Sequence, residues 1–537
     1  MDLLCQCTMA SFTGIASHVL YFQHGEHHLQ APRILSFYIA ALVLPHAINS
    51  IFSNDATRLS PYRIVFPQVS YFASLAISVV TYRLFLHKTK SFPGPKLAAA
   101  SKLYHLVKAR DSRQHMFLDD LHKKYGDFVR TGPNEITIFH PDAVLPIHSP
   151  SSRCTKTDWY DNLAPVNAVV LARVPREHDW RRRIWDHAYS IKALKQHEPT
   201  ILKHALLVRD AIEERLNQSI NATEWFEYYG FDVMGAVQYS KSFGMLEARH
   251  GHWVLDVFKA GTIILGYMTA TPWLIHIVDS LNFYRGVNSY LSWADESIRE
   301  RIRAIGWLID DAKENSTIEQ DWNWLMGDFL TMVTGGTEPV ISAIVFLFYH
   351  LVANPYHASL VRDEIGTLTS YSDTSQLSGL QHLNACIFET FRLHPSIPSG
   401  GLRMTPPEGI KINDTCIPGN TTVLVPQYTL ARREDCFERA VEFIPERWTT
   451  KPEMVKNRNA FMPWGIGSYS CVGKNLGLME IRTLAVVLFD YFNISFAPGD
   501  DGTLLHDKTL DCFSTIPGPL RLKFERREPI AKINVTN

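Results

Sequence analysis

One stretch limits what this chain can fold into more than any other: Phe461-Met462-Pro463-Trp464-Gly465-Ile466-Gly467-Ser468-Tyr469-Ser470-Cys471-Val472-Gly473-Lys474. A proline and two glycines interrupt regular structure ahead of a single cysteine, and a helical pattern of apolar residues follows from Val472 to Phe492. The spacing predicts Cys471 at the N-terminus of a long helix, where the dipole and unpaired N–H groups stabilise a thiolate. Gly465 and Gly467 permit the tight turns and close backbone approach that a flat macrocycle requires, and Trp464 offers an aromatic wall near the sulfur. These residues suit a metal ligand; the competing reading is a buried structural cysteine behind a glycine loop.

The N-terminal region is of another kind. No Asp, Glu, Lys or Arg occurs from Leu3 to Gln23, from Ile34 to Asn54 or from Ile64 to Tyr82. Each stretch is long enough to cross a bilayer as a helix. The third is bounded by Arg63 and Arg83 and followed by Lys88 and Lys90, a basic flank that predicts a cytosolic face for what comes next. The first two carry His18, Pro45, His46 and Asn49, so buried core helices are the alternative. Met1-Asp2 lacks the basic start of a cleaved signal peptide. Ser91-Phe92-Pro93-Gly94-Pro95-Lys96 cannot continue a helix and reads as a stiff hinge. The organisation expected is a membrane-anchoring region, 1–90, with up to three transmembrane helices, then one large domain, 91–537.

Within that domain, helical periodicity dominates, with helices expected over Trp322–Ala353, Leu380–Leu393 and Val472–Phe492. Short strands are expected over Glu135–Phe139, Gly409–Ile412 and Thr421–Pro426. The class is mainly α with small β-sheets. A formal net charge of -1 over 537 residues argues against a nucleic-acid partner. The eight cysteines form no CxxC pair, so neither a zinc cage nor a disulfide framework is indicated.

The cysteine stretch resembles the haem-binding signature of the cytochrome P450 family. The family pattern has an aromatic residue seven places before the cysteine, a glycine four before and a glycine two after; Trp464, Gly467 and Gly473 fill those places. Trp replaces the usual Phe, and Tyr469 stands where a basic residue commonly meets a haem propionate. Glu389-Thr390-Phe391-Arg392 and Phe443-Ile444-Pro445-Glu446-Arg447-Trp448 resemble two further family segments, which implies a structural network of Glu389, Arg392 and Arg447. His178 and Arg182 match a third spacing and, with Arg403, are implied propionate contacts. The arginine run around them could equally be a solvated face. The resemblance covers about Pro93 to Leu520. It implies a cytochrome P450 fold, haem b (iron-protoporphyrin IX) with Cys471 as axial metal ligand, and thiolate electron density that favours O–O cleavage.

On the long helix, Thr334-Gly335-Gly336-Thr337-Glu338-Pro339-Val340 aligns with the family's oxygen-activation segment, but Pro339 replaces the usual threonine. A proline here predicts a kink and removes the donor to the Gly335 carbonyl. Glu338 is the candidate catalytic acid, with Thr337 or a water standing in for the hydroxyl. The resemblance further implies a monooxygenase that hydroxylates or epoxidises a lipophilic small molecule, as a tailoring step in secondary metabolism. Its electrons would come from NADPH through a cytochrome P450 reductase, since no GxGxxG fingerprint appears here. It would lie in the endoplasmic reticulum membrane with its catalytic domain facing the cytosol. A haem-thiolate isomerase, dehydratase or coupling enzyme is the alternative, favoured by Pro339, and a non-enzymatic haem protein is a third. By family position, the pocket lining falls near Trp159–Val174, Thr262–Trp273 and Ser396–Leu402.

Overall fold

The computed structural model describes residues 2–53, 58–239, 241–281, 292–293, 295–296 and 321–529. Asn54, at the end of the second apolar stretch, lies outside them. Three N-terminal helices, α1 (Leu3–Ser17), α2 (Ala31–Ile51) and α3 (Pro61–Thr81), are apolar and largely uncovered by protein. With the helical turns that extend α1 to Phe22 and α3 to Leu86, each is long enough to span a membrane. α1 packs along α3, where Gly14 lets the backbones close: a Cβ there would lie 2.4 Å from the Tyr71 carbonyl oxygen.

The domain that follows is mainly helical. α4 (Pro175–Ala188), α5 (Ala222–Tyr239) and α6 (Trp253–Met268) precede a 32-residue helix, α7 (Trp322–Ala353). α7 is itself long and apolar enough to span a bilayer, but most of it is buried against α5, α8 (Gln381–Leu393) and α9 (Lys474–Tyr491). Val340 to Phe348 are all buried. This explains an apolar pattern that runs round the helix instead of along one stripe. α7 stops at Asn354-Pro355, because proline disfavours helical geometry in the residue before it. Where Pro339 predicts a kink, the helical run continues unbroken, and Ser396 Oγ donates to the Pro339 carbonyl at 2.9 Å.

Helix and strand ends differ from expectation by one or two residues. Leu380 is the cap of α8 and not its first residue. α9 starts at Lys474, with Gly473 as its cap, so Val472 and Gly473 separate Cys471 from the helix proper. The main sheet comprises β1 (Phe128–Gly132), β2 (Glu135–Ile138), β3 (Thr155–Lys156), β4 (Arg403–Met404) and β5 (Thr422–Leu424), in the order β1-β2-β5-β4-β3. Antiparallel pairing of β3 and β4 sets Lys156 directly opposite Arg403. The strand expected over Gly409–Ile412 is Ile410–Ile412, paired with Thr415–Ile417. Near the C-terminus, β6 (Leu510–Cys512) and β7 (Ser514–Ile516) form a hairpin whose tip is Phe513 alone, held at φ +75°. A left-handed backbone is unusual for a bulky side chain.

Candidate functional site

The cysteine loop is closed by its own backbone. Cys471 N–H donates to the Trp464 carbonyl at 2.7 Å, and Gly465 N–H to that of Met462 at 2.9 Å. Gly467 has φ +72°, and a Cβ there would sit 2.2 Å from the His148 carbonyl oxygen, so a side chain has neither the backbone angle nor the room. Trp464 meets Phe391 of α8 edge-on at 5.0 Å and touches Gly477 of α9. Its indole N–H has no partner among the described residues. The Cys471 side chain is solvent-accessible, yet burial pushes its thiol above the ordinary value, as for a sulfur on the wall of a deep cleft. The backbone N–H groups of Gly473 and Lys474, and the Arg182 guanidinium, pull the other way. On α7, Gly335 is exposed and a Cβ there would meet no atom within 4 Å, whereas Gly336 is pressed against Met234.

Beside the loop lies a cluster of basic side chains, of which Arg403 and Lys156 are buried. Arg403 is buried and donates to Tyr160 Oη at 2.8 Å and to the Leu402 carbonyl at 2.9 Å; its Nε has no partner among the described residues. Lys156, also buried, donates to the Val169 carbonyl at 3.0 Å. Burial first, then Arg403 and Arg182, hold its ammonium well below the usual lysine range. Neither cation has an ion pair among the described residues. Arg182 donates to the carbonyls of Ser470 at 2.6 Å and Ser468 at 3.3 Å and pairs with Asp186, tying α4 to the cysteine loop. The buried His178 ring meets Tyr469 edge-on at 4.7 Å, and burial lowers its pKa.

Tyr469 stands where the family commonly has a basic residue, and its ring carries Lys156 at 4.8 Å and Arg403 at 4.9 Å. The charge missing from the loop is thus supplied by a strand. Lys156 carried no sequence signal; only the register of β3 against β4 brings it here. Two buried cations with no acidic partner among the described residues, beside an accessible cysteine, fit an anionic macrocycle with a metal at its centre, and the orphaned Arg403 Nε offers a donor for a carboxylate.

Glu389, Arg392 and Arg447 are brought together as one buried unit, each at 0% side-chain exposure. Arg392 holds the Glu389 carboxylate through Nε at 2.9 Å and Nη2 at 2.8 Å, and Arg447 Nε reaches it at 2.9 Å. The Ile444 N–H and Trp448 Nε1 complete its shell, each at 2.9 Å. The guanidinium edges left over bind the carbonyls of Ala431, Ala440, Glu442 and Glu438. Five hydrogen bonds on one carboxylate compensate its desolvation. The arginine run on α4 divides: Arg181 is fully buried and binds Asp328 of α7 at 2.5 Å, with Trp185 Nε1 adding 3.2 Å to the same carboxylate, while Arg183 is exposed. Sequence reasoning missed this α4–α7 lock, because Asp328 sits in an apolar run with no motif around it.

On α7, Glu338 faces α6 and the β6–β7 hairpin. It is 7% exposed and accepts a hydrogen bond from Ser514 Oγ. Burial pushes its carboxyl up to about 7 against the pull of Ser514 and Thr262. Thr337 lies on another side of α7, where its methyl group packs at Gly230 of α5, and its hydroxyl has no partner among the described residues. Glu338 shares a cavity of about 20 Å³ with the Glu227–Lys259 ion pair, closed at 2.6 Å; that is room for one water. The three segments expected to line a pocket meet one another: Trp159 donates to Thr269 Oγ1 at 2.8 Å, stacks on Phe513 at 4.4 Å and shares an apolar cluster with Leu171 and Leu402. Phe513 and Ser514, adjacent at the hairpin tip, were invisible as site residues in the sequence.

The cytochrome P450 family model matches residues 93–524. The cytochrome P450 monooxygenase FCK2 of Fusarium pseudograminearum is 34% identical to this chain, over 96% of each. The cytochrome P450 monooxygenase lcsK of Purpureocillium lilacinum is 34% identical over 96% of this chain and 97% of its own. A tryprostatin B 6-hydroxylase of Neosartorya fischeri is 32% identical over 92% and 93%. A cysteine loop shaped by its glycines, a carboxylate locked between two arginines and similarity along nearly the whole chain lead to one assignment: the chain belongs to the cytochrome P450 family of monooxygenases.

Proposed function

We propose that this chain hydroxylates or epoxidises a lipophilic small molecule as a tailoring step in secondary metabolism, using dioxygen and electrons passed from NADPH by a separate membrane-bound reductase. The observation that carries the reading is the pair of buried cations beside Cys471, Lys156 and Arg403, which have no acidic partner among the described residues. There Cys471 would ligate the iron of haem b, while Arg182, His178, Arg403 and Lys156 would meet its propionates, and Trp464, Gly467 and Gly473 would shape the loop. Bound in this way, the haem supplies the activation of dioxygen and the oxidation of the substrate. The protein contributes position and protons. Glu338 holds a proton near neutral pH, the range in which a general acid is most effective. Ser514 takes the place of the family's threonine as its hydroxyl partner, and a water in the cavity shared with the Glu227–Lys259 pair would link Glu338 to the surface. Trp159, Leu402 and Phe513 make an apolar wall that suits a lipophilic, ring-bearing substrate. The names of the relatives, a tryprostatin B hydroxylase among them, support a tailoring role. The three N-terminal helices and the basic residues after α3 support the endoplasmic reticulum membrane, with the catalytic domain on the cytosolic face.

An isomerase, dehydratase or coupling enzyme is the second reading, and Pro339 favours it, since such chemistry can dispense with a proton relay. Microsomes containing the protein and a reductase, fed terpenoid, indole or polyketide precursors and analysed by mass spectrometry, separate the two. Products one oxygen heavier that require NADPH and dioxygen support the proposal; isomeric products formed without NADPH refute it. The reduced protein under carbon monoxide should show the thiolate Soret band, lost in Cys471→Ala.

A further inference from the structure

The eight residues between Phe22 and Ala31, which join the first two membrane-length helices, do not hang free. Tyr21 Oη donates to Gln30 Oε1 at 2.7 Å, and a His27 ring nitrogen lies 3.2 Å from the Tyr21 carbonyl oxygen, so the loop is folded back on itself. Two side chains then reach the catalytic domain. Glu26 forms a fork with Arg173, at 2.7 and 2.8 Å. The buried His28 meets Asp161 at 2.8 Å, and Arg173 also binds Asp161. His28 packs beside His276 of the helix Pro272–Ser280, which itself lies against α2. Burial lowers Arg173's affinity for its proton, but Glu26 and Asp161 outweigh it and raise the pKa, and His28 and Arg173 hold the Asp161 carboxyl down despite its burial. Glu26, His28 and Asp161 also lie close enough to ligate a metal. Arg173 already pairs with both carboxylates, so the geometry points to a clasp between two parts of the chain.

We propose that the 23–30 loop is a clasp that holds the 161–173 segment of the catalytic domain, and that the loop and the domain therefore lie on the same face of the membrane. Parity agrees. Two spans, α2 and α3, separate the loop from the domain, so the chain returns to the side it left, and the N-terminus before α1 lies opposite. The clasped segment runs on from Trp159 in the apolar wall. The membrane helices would then set the position of a pocket element as well as tether the domain. The clasp rests on the membrane reading proposed above.

The test labels cysteines in intact vesicles with a membrane-impermeant maleimide, read by peptide mass. His24→Cys reports the loop, native exposed Cys416 the domain, and Ser53→Cys the turn between α2 and α3. His24→Cys and Cys416 should label together, and Ser53→Cys only after the vesicles are opened. Should the loop and Cys416 label from different faces, the clasp is wrong. Should both label only after opening, the cytosolic orientation fails while the clasp stands. A second arm follows tryptic cleavage after Arg173 in the holoenzyme. Glu26→Gln should speed it about threefold, the size expected of a half-exposed ion pair, and leave cleavage after Lys508 unchanged. An unchanged rate at Arg173, or equal acceleration at both sites, overturns the clasp.

Discussion

Replacing Glu338 by glutamine keeps an oxygen to accept the Ser514 hydrogen bond and removes the group that ionises. In the native protein burial lifts the Glu338 carboxyl from 4.5 to about 7. The folded state therefore holds this proton more tightly than the unfolded chain. Linkage then gives a stability that is complete below about pH 4.5, falls as pH rises through the interval and levels off above about 7. At about 1.4 kcal/mol per pH unit, the loss reaches on the order of 3 kcal/mol on the alkaline side. Glu338→Gln should be free of that loss. It should match the parent near pH 5 and exceed it by up to about 3 kcal/mol at pH 8, measured by urea unfolding of the holoenzyme at constant m. Parallel pH profiles for the two proteins would refute the burial argument, and with it the role of Glu338 as a neutral acid.

Glu389→Gln leaves Arg392 and Arg447 buried without a counter-charge and should cost about 3–5 kcal/mol of unfolding free energy, with matching loss of haem from purified protein. Lys156→Met should speed haem transfer to apomyoglobin by about tenfold, the effect of one charge-assisted hydrogen bond, while Lys156→Arg stays close to the parent. Gly467→Ala forces a Cβ against the His148 carbonyl at a left-handed backbone position, and the expressed protein should show little Soret absorbance per chain.

The sequence carried what local pattern can carry. Helices α7, α8 and α9 announced themselves through apolar periodicity and proline stops, and the cysteine loop through its glycines, of which Gly467 has a φ and a crowding that only glycine tolerates. The Glu389 network was legible because its members lie in short motifs. Lys156, Asp328, Ser514 and Phe513 were not legible, because each enters the site through a partner far along the chain: a strand register, a buried ion pair, a one-residue hairpin tip. Thr337 shows the same limit from the other side. Its place next to Glu338 in the sequence suggested a shared task, but neighbours on a helix are turned about 100° apart and point at different surroundings. Strand ends also shifted, since single residues such as Phe139 continue an apolar pattern after their ladder partner has gone.

The phenol ring that carries Lys156 and Arg403 bears on any attempt to exchange cysteine loops between this chain and its relatives. A loop with arginine in place of Tyr469 would set a third positive charge within about 5 Å of two others already stripped of water, and would remove the π-face on which both rest. The transplant would repel its own host. Loop and strand are therefore a matched set, and a successful chimera would have to carry residue 156 along with residue 469.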